Sequence, residues 1–277
     1  MVTEELLRQI KPQLHYQTGA IEAAVFAKKS LEPLSSITDA MKRKEAEKQV
    51  LSNYFNVPVG RIIMLDQVHG FDCVRISNID LPTTPLVYAK ADASLTLEKN
   101  VLLVIRTADC LPVFFHSEVQ RPAVEGEEAS NSPTGHLVGI LHAGWRGLAN
   151  GIIANVSALA THVVEHSIRS KIDVAEPLHF FAGPCIPVSQ YEVGSDVWQR
   201  FPFYDTRPND KANLDLLKNA RWLLQESFKR KKYVFDDPFG LTTGANEAFY
   251  AESFSHRRGE TGRNLNVIRI NESSNGR

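Results

Sequence analysis

Short runs of apolar residues alternate with polar segments along the chain, and their lengths predict strands. Residues 101–105 (VLLVI) and 137–141 (LVGIL) are rich in branched side chains and are bounded by turn residues. A run of this length and composition indicates a strand that is covered on both faces. Further strands are predicted at 20–27, 61–65, 73–76, 94–97, 178–182 and after Arg263.

Apolar residues spaced three and four apart predict three main helices. The first begins after Asp39, which suits an N-cap, and the second begins after Gly147. The third covers residues 213–229, and a shorter amphipathic helix capped by Thr3 is predicted over 3–16. The apolar positions on the three main helices are Met41, Ala46, Val50, Leu51 and Tyr54; Leu148, Ile152, Val156, Leu159 and Val163; and Leu214, Leu217, Leu224 and Phe228.

One segment interrupts this regular pattern. Residues 118–136 have no apolar periodicity and concentrate glutamate, serine, proline and glycine. Such a composition predicts an exposed, mobile loop. Because strands are predicted on both sides of it, we interpret the segment as an insert within one domain. Residues 271–277 are expected to form a disordered tail.

Composition and charge narrow the class of protein. The 277 residues are 43% hydrophobic and 23% charged, as is typical of a soluble globular protein with a sizeable core. A net charge of −1 provides no electrostatic basis for binding nucleic acid or an anionic membrane. No apolar run approaches the roughly 18 residues that a membrane span requires. The N-terminus does not resemble a secretory signal and the three cysteines are scattered, so a reducing cytoplasm is the expected location.

Side chains that could bind a metal or take part in catalysis lie at the ends of predicted strands. Cys110 and His142 follow the two apolar runs described above, and His69 follows the strand predicted at 61–65. If the strands share a sheet, the thiol and the imidazole lie within a few ångströms of each other. Three such ligands with an open fourth position are typical of a catalytic zinc site. The spacing matches no zinc-finger pattern, so these residues alone leave open that Cys110 is a buried core thiol and the histidines are ordinary polar residues near turns.

Arginine side chains are candidates for binding an anion. Arg146 stands where a strand is followed by a helix, and a helix N-terminus has free N–H groups that attract phosphate. Arg257, Arg258 and Arg263 surround a glycine turn near the C-terminus and could clamp a phosphate. A surface arginine and a charged turn explain the same residues, so both interpretations stay open on position alone.

Five motifs together resemble the laccase-domain family, once called multicopper polyphenol oxidases and now described as purine nucleoside phosphorylases with adenosine deaminase activity. They are DQVHG at 66–70, TADCLPV at 107–113, HAGWRG at 142–147, YEVG at 191–194 and RRGETGR at 257–263. The resemblance spans residues 20–270 as one domain and leaves 1–19 as an N-terminal segment. It implies a single-domain α/β fold, a four-layer α/β/β/α arrangement with mixed sheets. It also implies a zinc ion (Zn²⁺) bound by His69, Cys110 and His142.

The resemblance also implies a reaction. The family cleaves the N-glycosidic bond of adenosine, inosine, guanosine or methylthioadenosine with phosphate, so purine nucleosides and phosphate are the expected ligands, with deamination of adenosine as a further activity. A zinc-bound water can attack C6 of adenine, and phosphorolysis needs a phosphate held beside C1′, for which Arg146 is a candidate. Asp92 and Asp109 each adjoin a motif and are candidates for the general acid or base, although either residue can instead cap a turn. The oligomeric state is left open.

Substrate contacts are expected from residues near the same motifs. The first strand is followed in relatives by a Thr-Arg-Gly-Gly-like loop, whereas this chain has Ala27-Lys28-Lys29-Ser30. Lys29 is therefore the candidate to replace the arginine, and the missing glycine pair puts substrate recognition in question. The residues expected to contact the substrate are Lys29, Gln67, Arg257, Arg258 and Arg263.

Three other functions are weighed against this one. Cys110 and His142 could be the nucleophile and base of a Cys–His hydrolase, as in bacterial toxin deamidases of the same architecture. Copper-dependent phenol oxidation would need more closely spaced histidines than the nine scattered ones here. A non-catalytic zinc-binding role, as a scaffold or in cell-wall quality control, would preserve the metal site without turnover.

Overall fold

The computed structural model describes residues 3–77, 89–119, 135–166, 177–228 and 233–271. The insert predicted at 118–136 lies outside these ranges except for its two ends, and the tail predicted at 271–277 lies outside them after Asn271. Both therefore stay predictions. Within the described residues, no helix has both the length and the apolar character needed to cross a membrane.

Strands alternate with helices and short 3-10 turns along the described structure, and strands and helices contribute similar numbers of residues. The strands are β1 (Leu14–Thr18), β2 (Ile21–Phe26), β3 (Ile62–Met64), β4 (Cys73–Ile76), β5 (Ala93–Thr96), β6 (Leu102–Thr107), β7 (Leu111–Val119), β8 (Gly135–Ala143), β9 (Leu178–Ala182), β10 (Glu192–Gly194), β11 (Tyr204–Arg207), β12 (Lys211–Leu214), β13 (Tyr233–Phe235) and β14 (Asn264–Ile270). The helices are α1 (Glu4–Gln9), α2 (Lys28–Leu31), α3 (Ala40–Phe55), α4 (Trp145–Ala149), α5 (Ile152–His166), α6 (Ser195–Trp198), α7 (Leu216–Ser227) and α8 (Ala245–Ala251).

The strands form two large mixed sheets and one small sheet. Sheet I has the order β1-β2-β14-β6-β3, and sheet II has the order β13-β9-β7-β8-β5-β4. Parallel pairs are β3 with β6 in sheet I, and β4 with β5 and β9 with β13 in sheet II; the other neighbours pair antiparallel. The apolar pattern does not predict sheet III, a small antiparallel sheet in the order β10-β12-β11.

The alternation of side chains along two strands shows how the layers stack, because successive residues of a strand point to opposite faces. In β2, Val25 packs between sheets I and II, whereas Ala24 and Phe26 pack on the side of α3. In β7, Phe114 packs between the sheets, whereas Val113 packs in the core beneath α5 and α7. Both sheets are therefore covered on both faces. The order α3, sheet I, sheet II, and α5 with α7 confirms the predicted α/β/β/α arrangement.

The N-terminal helix is shorter than the sequence predicts. Thr3 does cap α1, since its hydroxyl accepts a hydrogen bond from the backbone N–H of Leu6 at 3.3 Å. The helix ends at Gln9, ahead of Pro12, which has no backbone N–H and disfavours a helical residue before it. Residues 14–18 instead form β1, which pairs with β2. Sheet I thus extends across the boundary predicted at residue 20.

The helix predicted after Gly147 is divided into two. Asn150 ends α4, and Gly151 then adopts a φ of +95°, a backbone conformation that glycine accepts without a steric penalty. The apolar spacing continues across this break, which is why the pattern predicts one helix. The break turns α5 along the outer face of sheet II, where its apolar residues join the core.

The helix predicted at 213–229 begins three residues later than expected. Asp215 caps α7, because its carboxylate accepts a hydrogen bond from the backbone N–H of Lys218 at 2.8 Å. Leu214 belongs to β12 and is buried there, so its apolar side chain fits the strand as well as it fits a helical pattern.

Candidate metal centre

Three donor side chains converge at one end of sheet II. His69 lies in the loop after β3, Cys110 lies in the turn between β6 and β7, and His142 lies near the end of β8. Each residue offers one ligand atom, and the three atoms lie within 4.8 Å of one another. The rings of His69 and His142 meet edge to face with their centroids 4.8 Å apart. Two imidazoles and a thiol at this separation are a donor set that suits a divalent metal such as zinc.

The route by which Cys110 reaches His142 differs from the sequence-based expectation. The apolar runs that precede these two residues become β6 and β8, which lie in different sheets, so the condition that they share a sheet is not met. Instead, the chain turns at Cys110 into β7, a strand that the sequence analysis does not predict. Strand β7 pairs antiparallel with β8, so that Pro112 lies opposite His142. Cys110 immediately precedes this paired segment and therefore lies beside the end of β8.

Asp92 connects the His69 loop to His142. Its buried carboxylate accepts hydrogen bonds from the backbone N–H groups of Val68, His69 and Gly70, at 3.2, 3.0 and 2.7 Å. One of its oxygens also lies 2.8 Å from Nδ1 of His142. A carboxylate on one ring nitrogen orients the imidazole and leaves the other nitrogen, here Nε2, for a metal ion. Asp92 therefore supports both histidines of the centre.

The backbone at His69 has an unusual conformation. Its φ is +59°, in the left-handed region that residues other than glycine rarely occupy. Such a conformation persists only where the surroundings impose it. The three N–H groups that donate to Asp92 impose it here, so the carboxylate sets the shape of the loop that carries the His69 ring.

Charge interactions set the protonation of the centre. Burial by itself raises the pKa of the Cys110 thiol, but interactions with His142 and His69 outweigh burial and lower this pKa to about 6. Burial by itself lowers the pKa of His142, but Cys110 and Asp92 raise it to about 9. Burial acts to raise the pKa of Asp92, and hydrogen bonds from His142 and Gly70 bring it below its ordinary value. At pH 7 Cys110 is therefore mostly a thiolate, the form that binds metals.

Two glycines of the HAGWRG motif permit close packing around the donors. A Cβ atom on Gly144 would lie 3.0 Å from the sulfur of Cys110 and 3.7 Å from the His69 ring. A Cβ atom on Gly147 would lie 2.9 Å from the carbonyl oxygen of Gly70. The distances to the Cys110 sulfur and the Gly70 carbonyl would require a neighbouring atom to shift, whereas 3.7 Å from the His69 ring is an ordinary contact. The glycines therefore let the start of α4 approach the thiol and the His69 loop.

Asp109 anchors the C-terminal arginine segment beside the centre. Its Oδ1 accepts hydrogen bonds from the hydroxyl groups of Tyr250 and Ser255, both at 2.7 Å. Its Oδ2 accepts a hydrogen bond from the backbone N–H of Arg257 at 3.1 Å. The residue next to Cys110 thus joins α8 and the RRGETGR segment to the metal centre. The role of general acid or base predicted for Asp109 stays a prediction.

The predicted arginines differ in how far their guanidinium groups are engaged. Arg258 donates to the backbone carbonyls of Tyr250 and Ser253, and its guanidinium lies over the Tyr250 ring, so it holds the local chain together. Arg146 is exposed, and its guanidinium lies 4.6 Å from the centroid of the Trp145 ring. Stacking on an aromatic ring restricts an arginine while leaving its N–H groups available to an anion.

Tyr191 lies among the thiol and two of the arginines, and the predicted site residues do not include it. The guanidinium of Arg257 lies 5.0 Å from the centroid of its ring and donates to the carbonyl of Glu192 at 2.7 Å. Burial raises the pKa of Tyr191 and the charge of Cys110 adds to the rise, whereas Arg257 and Arg146 oppose it. The Tyr191 hydroxyl therefore interacts electrostatically with the Cys110 thiol and with both arginines. The YEVG motif is the sequence signal that marks this residue.

Gln67 and Lys29, both predicted to contact the substrate, differ in their surroundings: the Gln67 amide is bound by backbone, whereas Lys29 is exposed. Both ends of the Gln67 amide bind the backbone of Arg106 in β6, at 2.8 and 2.9 Å, so this side chain ties its loop to sheet I. Lys29 is an exposed residue of α2. The neighbouring Lys28, rather than Lys29, pairs with Glu260 of the RRGETGR segment at 2.6 Å.

Arg263 is half-buried at the start of β14. It donates to the backbone carbonyls of Thr261 and Gly262, at 3.1 and 2.8 Å. Burial lowers the pKa of Arg263 and the charge of Arg106 adds to this, whereas Asp109 and Cys110 oppose it. The structure thus brings Arg263 within electrostatic reach of the thiol, although part of its guanidinium is used by its own turn.

Comparison with known proteins identifies the family. The family model described as multi-copper polyphenol oxidoreductase laccase matches residues 16–125 and 130–271. The chain belongs to this laccase family. The matched region contains the three donors of the metal centre, the HAGWRG motif and the RRGETGR segment.

Relatives of this laccase-family chain carry the name purine nucleoside phosphorylase. One from Rickettsia prowazekii (strain Madrid E) is 29% identical over 198 residues, which are 72% of this chain and 64% of that protein. Another from Xylella fastidiosa (strain Temecula1 / ATCC 700964) is 36% identical over 204 residues, in an alignment that covers 70% of this chain and 66% of that protein. The chain thus spans slightly less than two thirds of the length of these relatives.

A solved structure has the same fold. The crystal structure of Neisseria meningitidis protein NMB0706 aligns with 95% of this chain and 100% of its own, with a TM-score of 0.68 and 22% sequence identity. At this identity the likeness shows the fold alone.

Proposed function

We propose that this laccase-family chain is a zinc-dependent purine nucleoside phosphorylase. Its substrates would be adenosine, inosine, guanosine or methylthioadenosine together with phosphate, and deamination of adenosine would be a second activity of the same centre. The observation that carries the proposal is the convergence of His69, Cys110 and His142 beside exposed arginine, in a chain whose relatives are named purine nucleoside phosphorylases.

Zinc is the metal that these three donors would hold. A thiolate and two neutral imidazoles are zinc ligands, and three protein ligands leave a fourth position for water or substrate. The contact between Asp92 and Nδ1 of His142 supports the fit, because it leaves Nε2 for the metal. When bound, zinc would act as a Lewis acid and lower the pKa of a bound water to about 7.

Phosphate binding is assigned to Arg146 and Arg257. Each guanidinium is stacked on an aromatic ring, Trp145 or Tyr191, and is thereby held near the thiol end of sheet II. An arginine held in this way loses little freedom when it binds an oxyanion. The guanidinium of Arg258 donates to two backbone carbonyls, whereas that of Arg257 donates to one, so we assign a structural role to Arg258.

We assign positioning roles to the two carboxylates, and the acid–base roles expected for them from the sequence stay predictions. Asp92 is buried and accepts hydrogen bonds from three backbone N–H groups as well as facing His142. Asp109 accepts from two hydroxyl groups and a backbone N–H. A carboxylate that accepts three or more hydrogen bonds holds the groups that donate them in place.

The proposal is tested by measuring release of free purine base and of ammonia from a panel of purine nucleosides. The purified protein would be assayed as isolated, after chelation, and after zinc is restored, each with and without phosphate. We expect base release that requires both phosphate and zinc. Base release that is independent of phosphate would refute phosphorolysis, and a zinc-loaded protein that turns over no nucleoside would favour a non-catalytic role.

The phosphate assignment is tested with Arg146→Ala. Losing a charge-assisted contact costs about 1.5–3 kcal/mol, so we expect the KM for phosphate to rise roughly tenfold to hundredfold while zinc content is kept. Deamination uses water and should fall much less. Arg221→Ala is the matched control, because Arg221 is also exposed and stacks on an aromatic ring, Phe235, at 5.1 Å. Parallel loss of phosphorolysis, deamination and zinc would show that Arg146 only braces its turn.

A Cys–His hydrolase is the second candidate, and one observation favours it. Cys110, His142 and Asp92 form a chain of nucleophile, base and orienting carboxylate, and interactions with His142 help to lower the pKa of the thiol to about 6. Bound zinc separates the two candidates, because a ligated thiolate is not free to attack. Modification of Cys110 by iodoacetamide should be fast after chelation and slow after zinc is restored. Equally fast modification in both states would favour the hydrolase.

A further inference from the structure

A second group of donor side chains lies at the opposite end of sheet II, and the proposed function does not use it. His116 of β7, His179 of β9 and Asp236, which follows β13, each offer one ligand atom within 4.8 Å of the other two. His116 lies six residues beyond Cys110 along β7. At about 3.3 Å per residue, the two groups are separated by roughly 20 Å.

The register of sheet II creates the pair of histidines. His116 lies directly opposite His179 in the pairing of β7 with β9. Their rings are nearly parallel, at 8°, with their centroids 5.0 Å apart. Phe114 and Phe181 lie two residues from His116 and His179 on the same strands and pack between the sheets, so both histidines lie on the sheet face that points toward sheet I.

Asp236 is fixed against this pair. Its Oδ2 lies 2.8 Å from Nδ1 of His179, and its backbone N–H donates to the carbonyl of Phe180 at 2.8 Å. The contact with His179 uses one of the two carboxylate oxygens. A metal ion that replaced the proton between these two atoms would be bound by both His179 and Asp236, so Asp236 is itself a donor here, whereas Asp92 at the first centre supports His142 without being one of the three donors.

His116 has a buried ring nitrogen for which the described residues provide no partner. Its Nε2 is inaccessible to solvent and makes no hydrogen bond within the described part of the chain. Buried polar atoms in native proteins nearly always have a partner. A metal ion is a partner that an imidazole nitrogen accepts, and the neighbouring His179 and Asp236 supply further ligands of the required kind.

A cleft between the sheets opens onto the cluster. It has a volume of about 460 Å³ and is lined by residues of β1 and of the turn after it, as well as by the three donors. Glu118 and His136 also line it and lie opposite each other in the pairing of β7 with β8. The cleft therefore provides an entry path and additional nitrogen and oxygen donors at its rim.

We propose that His116, His179 and Asp236 bind a divalent transition-metal ion, with zinc as the preferred ion, at a site separate from His69, Cys110 and His142. Two imidazoles and one carboxylate are a donor set of zinc enzymes, and imidazole also suits nickel and copper. The bound ion would join the segment after β13, an edge strand, to β7 and β9. The proposal does not depend on the reaction assigned to the first centre.

The test counts metal ions in the full chain. Protein stripped with chelator is reloaded with zinc, passed over a desalting column, and analysed for bound metal. We expect two ions per chain in the unaltered protein, one in Cys110→Ala, one in His116→Gln, and none when both changes are combined. His162→Gln is the matched control, since His162 is an exposed histidine of α5, and it should retain both ions.

Cobalt identifies which ion is lost. The first centre contains a thiolate and should show thiolate-to-cobalt charge transfer, whereas the His116 site should not. If cobalt-loaded His116→Gln keeps this absorption, its first centre is folded. An ion that this variant has lost in the metal count is then the one from the His116 site. If His116→Gln fails to fold, Asp236→Asn is measured in its place and should likewise lose one ion. The proposal is overturned if the unaltered protein binds a single ion that Cys110→Ala abolishes, or if the second ion survives these changes.

Discussion

The two ends of sheet II hold donor clusters of the same size that are assembled in different ways. At one end, His69, Cys110 and His142 come from a loop, a turn and a strand end in three distant parts of the chain. At the other end, His116 and His179 face each other directly across paired strands. A cluster placed by sheet register needs little further support, whereas a cluster drawn from loops needs contacts that hold each loop.

Asp92 provides that support at the loop-built end. Its carboxylate accepts three backbone hydrogen bonds from the loop of His69 and also faces His142. Asp236 contacts a single ring, that of His179, because β7 and β9 already place the two rings side by side. At these two ends, the number of supporting contacts follows the number of independent chain segments that the cluster must hold.

The largest effect is expected from removing the thiol. Cys110→Ala deletes a donor at the loop-built end, so we expect its zinc to be lost, together with an activity loss of more than about a hundredfold, since even outer-shell changes cost 10- to 100-fold. Metal analysis and nucleoside turnover measure the two effects. Cys73→Ala, which alters a half-buried thiol of β4 outside the centre, should change neither. Full zinc occupancy of the first centre in Cys110→Ala would show that Cys110 is not a ligand.

Weakening the support of the loops should have the next largest effect. Asp92→Asn keeps the shape of the side chain but removes its charge, so we expect zinc affinity at the first centre to fall by about 10- to 100-fold. Competition with a chromogenic chelator measures the affinity. Asp236→Asn is the counterpart and should leave the first centre unaffected. An unchanged affinity in Asp92→Asn would contradict the supporting role of this carboxylate.

Crowding the thiol should have a smaller effect. A methyl group on Gly144 would lie 3.0 Å from the sulfur of Cys110, and overpacking costs about 1–3 kcal/mol, so Gly144→Ala should lower zinc affinity at the first centre by roughly tenfold. Gly135→Ala is the control, because among the described residues a Cβ atom on Gly135 would meet nothing within 4 Å. The chelator competition described above reports both variants. Equal affinities for the two would mean that the centre tolerates displacement of the Cys110 side chain.

The smallest effect is a difference in proton release at pH 7. At the first centre the pKa of His142 is about 9 and that of Cys110 about 6, so zinc binding should displace about one proton, from His142. At the other end burial and the nearby His179 lower the pKa of His116 to about 4, although Asp236 opposes this, so His116 has no proton to lose. Affinity at the first centre should therefore rise as pH increases toward about 9.

Calorimetry in buffers of different ionisation enthalpy measures these protons. The His116→Gln variant reports the first centre by itself, and Cys110→Ala reports the other end by itself. Equal proton release in the two variants would contradict the expected difference in protonation between His142 and His116.

Much of the fold was accessible from local sequence patterns. The strand predicted at 178–182 is β9, the strand predicted at 73–76 is β4, and Asp39 caps α3 as expected, since its carboxylate accepts hydrogen bonds from two backbone N–H groups. Apolar runs and helix caps are determined by neighbours along the chain, so they can be predicted without the fold. The boundaries of α1 and α7 were wrong where a proline or a capping aspartate outweighed the apolar spacing.

The membership of strands in sheets was decided only by the tertiary structure. The run at 101–105 and the run at 137–141 look alike in sequence, yet they lie in different sheets, and β7 between them joins Cys110 to His142. Pairing between strands depends on contacts among distant residues, which periodicity does not record. For the same reason, no local pattern shows that His116 lies opposite His179.

The candidate donors of the first centre could be named from the sequence, because motifs such as TADC and HAGWRG keep them close to the glycines that permit their packing. The tertiary structure alone decided how those residues are held. The sequence marks Asp92 only as an acid–base candidate beside a motif, whereas the four contacts of its carboxylate are made with residues 68–70 and with His142, far from it along the chain. A buried carboxylate takes its role from the donors that surround it, and only folding brings those donors together.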